Sequence, residues 1–533
     1  MWLWVQKARG NQMRSVNAGL GIMLLIAGFT MSSAAIDSTA IIFDDEKVHE
    51  YHLHFYTDNW QDSLEYYKDN GEQYIPARFV YVNGNDSVIL DSVGVRYKGN
   101  SSYSLSSKTS KKPFKFKFDE YRSQNFFGVD KLNFSNAVKD PTQMREKLAY
   151  DIIGQYMPAS RAAFAKIYVD GEMIGLYTQV EQVDKKFLKR KFVSNRYNLY
   201  KSSDNGAPLN YTTANQDDYA AFYELQTNEK INDWSALIQF IDKLNNTDSS
   251  EFVSVAGTML DIDNCLRYLA FNMALSNFDS YTGSGRNYYL YDDSSSAKFK
   301  LIPWDLNFAF GIYTNGWNVT TVDATVLNNF EQRPLMKQLL TNDSLKQVYL
   351  SYIKQMIEGP ASLSAVSEKI DKYKALIDPV VAVDSNSLNT YAQFLTNVDS
   401  DISIAEGPGK VTLPGLRSFL TKRIDNLKKQ LDNYLPVKQQ GFAAKHRETI
   451  AVQASRTAGE TVLSVRYHLS ENNSATITVF NAQGAKVLSF SDNKSGKGEC
   501  IMTKRISNRL ANGFYTLQVT TGSVCQLAHF VIW

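Results

Sequence analysis

Histidine and cysteine are nearly absent from the central part of this 533-residue chain. No histidine lies between His54 and His446, and the same stretch holds one cysteine, Cys265. A Ser-His-Asp or Cys-His nucleophile needs an imidazole to take the proton, and a zinc or non-haem iron site needs imidazole or thiolate ligands. The sequence therefore excludes these classes of chemistry from its centre. Lysine, aspartate, asparagine and a glycine turn remain, and these hold phosphates and magnesium or manganese in phosphoryl transfer.

A large net charge is also absent, since 57 lysines and arginines balance 55 aspartates and glutamates. This balance argues against a nucleic-acid partner. At 533 residues the chain exceeds what one hydrophobic core usually organises, so we expect two or more folded units. Aromatic residues make up 13% of the chain, which weighs against disorder.

Long apolar runs are confined to the N-terminus. The basic residues Lys7, Arg9 and Arg14 precede the apolar run Leu20–Phe29, and small residues end at Ala35. This order predicts an export signal over residues 1–35, with a retained N-terminal anchor as the alternative. The run is short for a full membrane span, and no other segment approaches that length. We therefore expect a secreted protein without a membrane span in the mature chain.

Residues 36–435 change from a strand-rich to a helix-rich pattern, which predicts an α+β domain. The strand-like runs are Ala77–Asn83, Ser87–Tyr97, Pro113–Phe118, Ala163–Val169 and Met173–Val180. Asp170-Gly171 between the last two is a strong hairpin signal. The predicted helices are Pro141–Gln155, with Asp140 as N-cap, then Leu335–Ile357, Ser362–Ile377 and Leu413–Tyr434. A sheet followed by a helical portion predicts two lobes with a ligand cleft between them.

The last part of the chain is predicted to be a small all-β unit after a polar linker at residues 436–450. Four strand-like runs separated by Asn and Gly turns lie within residues 451–533: Thr461–Tyr467, Ala475–Phe480, Lys486–Phe490 and Gly513–Val519. Short strands at this spacing predict a β-sandwich.

A first polar cluster joins a glycine turn to a lysine-rich strand. Gly99, followed by Asn100-Ser101-Ser102, is expected to form a tight turn whose backbone N–H groups face an anion. In the following strand, alternation places Lys115 and Lys117 on one face and the phenylalanines on the other. The same alternation is typical of an amphipathic edge strand, so this cluster alone does not decide the function.

A second cluster is more specific. Asp279 is followed eight residues later by Asn287, and Asp305 lies within the apolar run Leu301–Phe310. A carboxylate in an apolar strand is costly to bury unless it is paired or ligates a cation. The alternative is that Asp305 caps a turn after Pro303.

Several motifs occur together in one order, and the set resembles a known family. The motifs are Gly99–Ser102, Lys111–Phe118, Met144–Asp151, Ile174–Tyr177, Asn287–Leu290 and Trp304–Gly311. Over about residues 40–435 they resemble the CotH family, the spore-coat protein H type of secreted atypical protein kinase. The resemblance implies a divergent kinase fold that binds ATP with Mg²⁺ or Mn²⁺ and, in some members, phosphorylates Ser or Thr of surface proteins. Other members are surface adhesins, so a non-catalytic surface-binding protein, for example one within a carbohydrate-degrading apparatus, stays as the alternative.

The resemblance also implies roles for the nucleotide-binding residues. The turn at Gly99 would cover the phosphates. Lys115 would contact the α- and β-phosphates, with Lys112 or Lys117 as alternatives. Glu181, at the end of the hairpin strand, would lie near the nucleoside.

Roles for the catalytic and metal-binding residues follow in the same way. Asp279 would accept the hydroxyl proton, while Asn287 and Asp305 would bind the metal. Asn307 belongs to the same predicted metal set. Two departures from the family pattern stand out. The usual kinase His-Arg is missing before Asp279, and Asn307 replaces a second aspartate, which weakens the negative charge offered to a metal.

The C-terminal unit has a resemblance of its own. Leu510–Val519, Gly522 and the terminal apolar strand are similar to the sorting domain of type IX secretion. That similarity implies that the unit binds the secretion machinery and that the protein reaches the outer surface of a Gram-negative bacterium, or the medium. The alternative is a carbohydrate-binding or immunoglobulin-like sandwich.

Overall fold

The computed structural model describes residues 38–325, 332–406, 409–434, 451–457, 460–469, 474–481, 486–492, 498–506, 510, 513–521 and 524–532. The predicted signal at residues 1–35 and the predicted linker at 436–450 lie outside these ranges. Within them the fold is mixed α/β, with helices and several separate sheets. No helix in these ranges combines the length and the apolar character needed to cross a membrane.

Seven strands close into a barrel in the order β1-β2-β3-β4-β5-β7-β6. They are β1 His49–Phe55, β2 Ile75–Asn83, β3 Asp86–Tyr97, β4 Phe114–Lys117, β5 Lys131–Ser135, β6 Ala162–Val169 and β7 Glu172–Glu181. The strands β1 and β6 pair in parallel and close the barrel, whereas every other barrel pair is antiparallel. The predicted small sheet is thus a closed barrel, and a closed sheet leaves no free edge.

The barrel interior is a packed aromatic core. Phe79, Phe116 and Phe134 point inward together with Tyr51 and Tyr177. The Asp170-Gly171 hairpin is confirmed: β6 and β7 pair around it, and both turn residues have positive φ, as the predicted turn type requires. Three helices lie between barrel strands in the sequence: α1 Trp60–Asp69, α2 Ser101–Leu105 and α3 Arg145–Ile153.

Helix α3 begins later than its sequence pattern predicts. Asp140 does not cap the helix; Met144 is the N-cap. Instead Asp140 closes a preceding turn, accepting hydrogen bonds from the backbone N–H of Thr142 (2.9 Å) and of Arg145 (2.8 Å). The buried guanidinium of Arg145 also bonds Asp140, and it donates to Asn397 Oδ1 (3.0 Å) and the Pro414 carbonyl oxygen (2.5 Å). The start of α3 is therefore fixed by distant segments.

A second sheet and most of the helices form the next part of the chain. The sheet has the order β11-β10-β8-β9, with β8 Leu199–Ser202, β9 Tyr223–Leu225, β10 Tyr288–Asp293 and β11 Lys298–Pro303. The helices are α4 Lys185–Lys191, α5 Ser235–Asn246, α6 Phe252–Val255, α7 Ile262–Ala274, α8 Pro334–Thr341, α9 Asp343–Glu358, α10 Leu363–Val381, α11 Tyr391–Asn397 and α12 Leu416–Tyr434. These elements share one large hydrophobic core, to which α3 contributes.

The remaining strands form three small sheets. A hairpin consists of β12 Ile402–Glu406 and β13 Gly409–Leu413. The C-terminal strands are β14 Ala451–Thr457, β15 Glu460–Leu469, β16 Ala475–Asn481, β17 Lys486–Asp492, β18 Gly498–Ile506, β19 Gly513–Thr521 and β20 Val524–Ile532. They make a three-stranded and a four-stranded sheet around one hydrophobic core, the arrangement of a β-sandwich.

Candidate functional site

A polar cavity of about 460 Å³ lies between the barrel wall and the second sheet. The barrel contributes Lys98, Lys115 and Asn133 to its lining, and the second sheet with its loops contributes Asp279 and Asp305. This volume falls within the range of small-molecule sites, roughly 300–1,000 Å³. The cavity brings the two polar clusters of the sequence together, although Gly99 and Asp305 are 206 positions apart in the chain.

The glycine turn forms one wall of the cavity. Gly99 has φ +72°, and a Cβ there would lie 2.5 Å from Ser102 Oγ, so the turn requires glycine. Ser101 begins the short helix α2, and Asn100 donates a hydrogen bond to the Asp204 carboxylate on the second sheet's side. All four turn residues, Gly99 to Ser102, line the cavity. The turn is therefore placed to cover a ligand inside it.

The lysine-rich strand β4 separates its three lysine candidates. The phenylalanines of β4 are buried in the barrel core, as the alternation predicts. Lys115 lines the cavity, whereas Lys117 forms an ion pair with Glu120 (2.5 Å) away from it. Lys112 donates to the Ser106 carbonyl oxygen (2.7 Å) and lies over the Tyr103 ring. Lys112 and Lys117 are therefore committed elsewhere, and neither lines the cavity.

Lys115 is a cation without an acidic partner among the described residues. Burial lowers its pKa well below the ordinary value, and neighbouring positive charges lower it further. These charges belong to Arg96, Lys131, Lys98 and Lys201. A wall with this charge is stabilised by an anionic ligand, and phosphate groups supply that charge.

Glu181, which is predicted to lie near the nucleoside, is not among the residues that line this cavity. Its carboxylate pairs with Arg161 (2.9 Å) and with Arg190, and both arginines hold it at the end of β7. The next residue, Gln182, lines the cavity instead. Its Nε2 donates to Tyr289 Oη (3.1 Å), and its Oε1 accepts from Asn133 (3.1 Å).

Asp279 and Asn287 are held together in the loop between α7 and β10. Asn287 Nδ2 donates to Asp279 Oδ2 (3.0 Å) and to the Asp279 carbonyl oxygen (2.8 Å). Burial raises the pKa of Asp279, while a hydrogen bond from Ser284 opposes that rise. Asn287 has φ +57°, an uncommon value outside glycine. The amide nitrogen is thus committed to Asp279, which leaves Oδ1 as the atom of Asn287 that a cation can use.

Asp305 lies just beyond a strand rather than inside one. The run Leu301–Phe310 is not one strand, because β11 ends at Pro303. Asp305 has φ +50°, and its backbone N–H donates to Tyr150 Oη (3.1 Å) on α3. Burial raises the pKa of its carboxyl group, and the charges of Lys98 and Lys201 oppose that rise. Asn307 also lines the cavity, two residues further along.

Glu146 is an acid of this region to which the sequence pattern assigned no role. It lies on α3 with 6% of its surface exposed. Burial first, and then the charge of Asp305, raises its pKa to about 8. Glu146 belongs to the Met144–Asp151 motif. From the sequence alone, a glutamate in a helix is expected at the surface unless the helix is known to be buried.

The donor set fits a hard cation. In the described part of the chain, no group of three or more His, Cys, Asp or Glu side chains is placed to hold a metal. Magnesium does not need such a group, because one or two carboxylates plus substrate phosphates and waters satisfy it. Asp305 and the amide oxygens of Asn287 and Asn307 are oxygen donors of that kind on the cavity wall.

Comparison with known proteins decides the family. A family model described as "CotH kinase protein" matches residues 95–427. The chain belongs to the CotH kinase protein family. The matched region contains the glycine turn, Lys115, Asp279, Asn287 and Asp305. A curated relative, the "Inner spore coat protein H" of Bacillus subtilis (strain 168), is 24% identical over 278 residues, which cover 51% of this chain and 75% of that protein.

Proposed function

We propose that this CotH family member is a secreted atypical protein kinase, which transfers the γ-phosphate of ATP to Ser or Thr of surface or secreted proteins with Mg²⁺ or Mn²⁺. The observation that carries the proposal is the pairing of two walls in one cavity. One wall is cationic and carries Lys115, and the other carries the acids Asp279 and Asp305. Phosphoryl transfer needs both, because it depends on positioning and charge stabilisation rather than on covalent catalysis.

The cationic wall and the glycine turn are the proposed phosphate site. Lys115 has the unpaired charge, and Lys98 and Lys201 add to the positive field. The turn at Gly99 supplies backbone N–H groups to phosphate oxygens. The two lobes of a divergent kinase would correspond to the barrel with α3 on one side and the second sheet with the larger helices on the other.

The acidic wall is the proposed catalytic side. Asp279 accepts the proton of the acceptor hydroxyl, and the hydrogen bond from Asn287 keeps its Oδ2 in place. A bound Mg²⁺ or Mn²⁺ supplies positive charge to the phosphate oxygens. Asp305, Asn287 and Asn307 line this side of the cavity and would hold that ion through their side-chain oxygens.

The proposed location is the outside of the cell. The name of the Bacillus subtilis relative places that protein in a spore coat, which supports a surface or extracellular role for this one. The N-terminal export signal and the sorting-like C-terminal unit support secretion in a Gram-negative bacterium, with the secretion machinery as a partner. Protein substrates at the surface are then the available phosphoacceptors.

One observation favours the alternative of a non-catalytic surface-binding protein. Asn307 stands where many family members have a second aspartate, so the cavity offers a metal one negative charge fewer. A binder of the same fold needs neither a base nor a metal.

Transfer of label from γ-labelled ATP separates the two functions. We expect label on the protein itself or on members of a surface-protein mixture, present with Mg²⁺ or Mn²⁺ and lost with EDTA. Asp279→Asn should lower the transfer rate by about a hundredfold or more while ATP affinity stays within a few-fold. Asp130→Asn, an acid paired with Lys186 outside the cavity, is the matched control. Absence of label with every acceptor would favour the binder, and full activity of Asp279→Asn would remove the base assignment.

A further inference from the structure

Glu146 has one carboxylate oxygen that the described residues leave without a partner. Ser135 hydrogen-bonds the carboxyl group, but Oε2 is fully buried and accepts no hydrogen bond. A buried polar atom without a partner costs free energy, and native proteins keep such atoms rarely. An ion that binds there is one of the few explanations that removes this cost.

The charged groups around Glu146 would be stabilised by an additional positive charge. The charge of Asp305 is the largest electrostatic influence that disfavours its ionised form, and Lys98 is the cation that opposes it. Among the described residues, Lys98 forms no ion pair with Glu146; its ammonium group lies 5.5 Å from the Trp304 ring centroid. A divalent cation close to both carboxylates would give the buried Oε2 of Glu146 the partner that it lacks.

The two acids are also fixed relative to each other. Tyr150 follows Glu146 by one helical turn, and its hydroxyl accepts the hydrogen bond from the Asp305 backbone N–H (3.1 Å). At the start of the helix, Arg145 ties α3 to Asn397 and Pro414. The geometry is therefore set before any ligand binds, as a metal site requires.

From the unpartnered Oε2 and the contact between α3 and Asp305 we infer that Glu146 is a ligand of the divalent cation, together with Asp305. The inference rests on the proposed function, because that function places the cation in this cavity. Two carboxylates from the protein, completed by phosphate oxygens and waters, match the coordination that Mg²⁺ and Mn²⁺ take in phosphoryl-transfer sites. Glu146 also supplies the negative charge that Asn307 does not.

Mn²⁺ binding to the full-length protein tests this inference. The signal of free Mn²⁺ in electron paramagnetic resonance gives the affinity, with and without a non-hydrolysable ATP analogue. Glu146→Gln keeps the side-chain shape and removes the charge, so we expect the Mn²⁺ affinity to fall about tenfold or more. Asp305→Asn should fall comparably, whereas Glu120→Gln, an acid outside the cavity, should bind as the parent does.

Thermal unfolding distinguishes a ligand from a structural acid. Without metal, Glu146→Gln should unfold at the parent's temperature or above it, because the amide keeps the shape of the buried side chain and carries no charge. With Mn²⁺, the parent should gain stability and Glu146→Gln should gain little. Unchanged Mn²⁺ affinity in Glu146→Gln, or a loss of stability without metal, would overturn the inference.

The test of Glu146 as a metal ligand does not depend on whether the protein transfers phosphate. If the parent binds Mn²⁺, Glu146→Gln does not, and no label is transferred to any protein, the ligand role stands while the kinase function fails. If label is transferred and Glu146→Gln keeps its Mn²⁺ affinity, the kinase function stands and the ligand role fails. A parent that binds no Mn²⁺ in either condition also overturns the inference.

Discussion

At the residue scale, neighbours along the chain decide which lysine faces the cavity. Lys115 and Lys117 share one face of β4, so alternation alone treats them as equals. Glu120 follows the strand closely enough to pair with Lys117, and that signal is present in the sequence. Asp119 follows Lys115 by four residues, but among the described residues no ion pair joins the two. The sequence therefore offers an acid to either lysine, and the structure separates them by pairing Lys117 with Glu120 and placing Lys115 at the cavity.

Replacing Lys115 should separate nucleotide binding from stability. Lys115→Met removes a positive charge aimed at phosphate, so we expect ATP affinity to fall about tenfold or more with metal present. The thermal midpoint without ATP should rise, because the substitution removes a buried cation surrounded by other cations. Calorimetric titration with ATP and thermal unfolding measure the two effects.

Lys117→Met is the matched control for this change, since it lies on the same strand and face. Its ATP affinity should remain that of the parent. Equal losses in both variants would show that the phosphates are not held at Lys115, and a loss in Lys117→Met alone would assign the phosphate site to that lysine.

The role that we propose for Glu146 could not be predicted from the sequence pattern. Its proposed role depends on the burial of α3 and on the contact of that helix with Asp305, and both are set by tertiary packing. In the sequence, Arg145, Glu146 and Lys147 are three consecutive charged residues, which favour a solvent-facing helix start. In the structure all three are buried. Consecutive charged residues in a buried helix indicate a functional role, but composition does not show that the helix is buried.

At the element scale, local patterns predicted five of the seven barrel strands and missed β1 and β5. Strands β2, β3, β6 and β7 have apolar alternation or a hairpin turn, and their predicted bounds agree within two residues. Strand β1 carries three histidines and β5 has five residues, so neither gave a clear apolar pattern. Closure of the barrel depends on the parallel pair between β1 and β6, more than a hundred residues apart, which no local pattern encodes.

The barrel strand β1 contains a buried histidine that should make stability depend on pH. His49 is 1% exposed; one ring nitrogen is 3.2 Å from the Asp44 carbonyl oxygen and the other is 3.1 Å from Tyr81 Oη. Burial lowers its pKa from 6.5 to about 4. The folded state therefore binds the proton less readily than the unfolded state, so stability is greatest above pH 6.5 and falls as the pH drops toward 4.

The expected loss from His49 between pH 7.5 and pH 5 is about 2 kcal/mol of unfolding free energy. Urea unfolding at the two pH values measures it. His49→Phe should remove this part of the pH dependence, whereas His54→Gln, at an exposed ring paired with Asp170, should keep it. The same pH dependence in His49→Phe as in the parent would contradict the assignment.

At the scale of the whole molecule, the site exists because separate parts of the chain meet at one cavity. Lys115 comes from the barrel, Asp279 and Asn287 from the loop after α7, and Asp305 from the turn after β11. The family resemblance, based on the order of the motifs, predicted that these residues lie together. The sequence itself contains no information on the distances between them. The C-terminal strands, in contrast, have a hydrophobic core of their own, and none of the described C-terminal residues lines the cavity.

Removal of residues 451–533 should therefore leave the site intact and change where the protein goes. The core of the C-terminal strands is built from residues such as Leu463, Ile477 and Leu517, which are absent from the two larger cores. ATP affinity with metal should stay within about twofold of the parent, since distant independent sites seldom couple. If the unit is the sorting signal, the truncated protein should accumulate in the periplasm, while the parent reaches the surface or medium. Cell fractionation and calorimetry on the same two proteins measure both effects. Normal release of the truncated protein would remove the sorting role, and a large loss of ATP affinity would show that the unit supports the cavity.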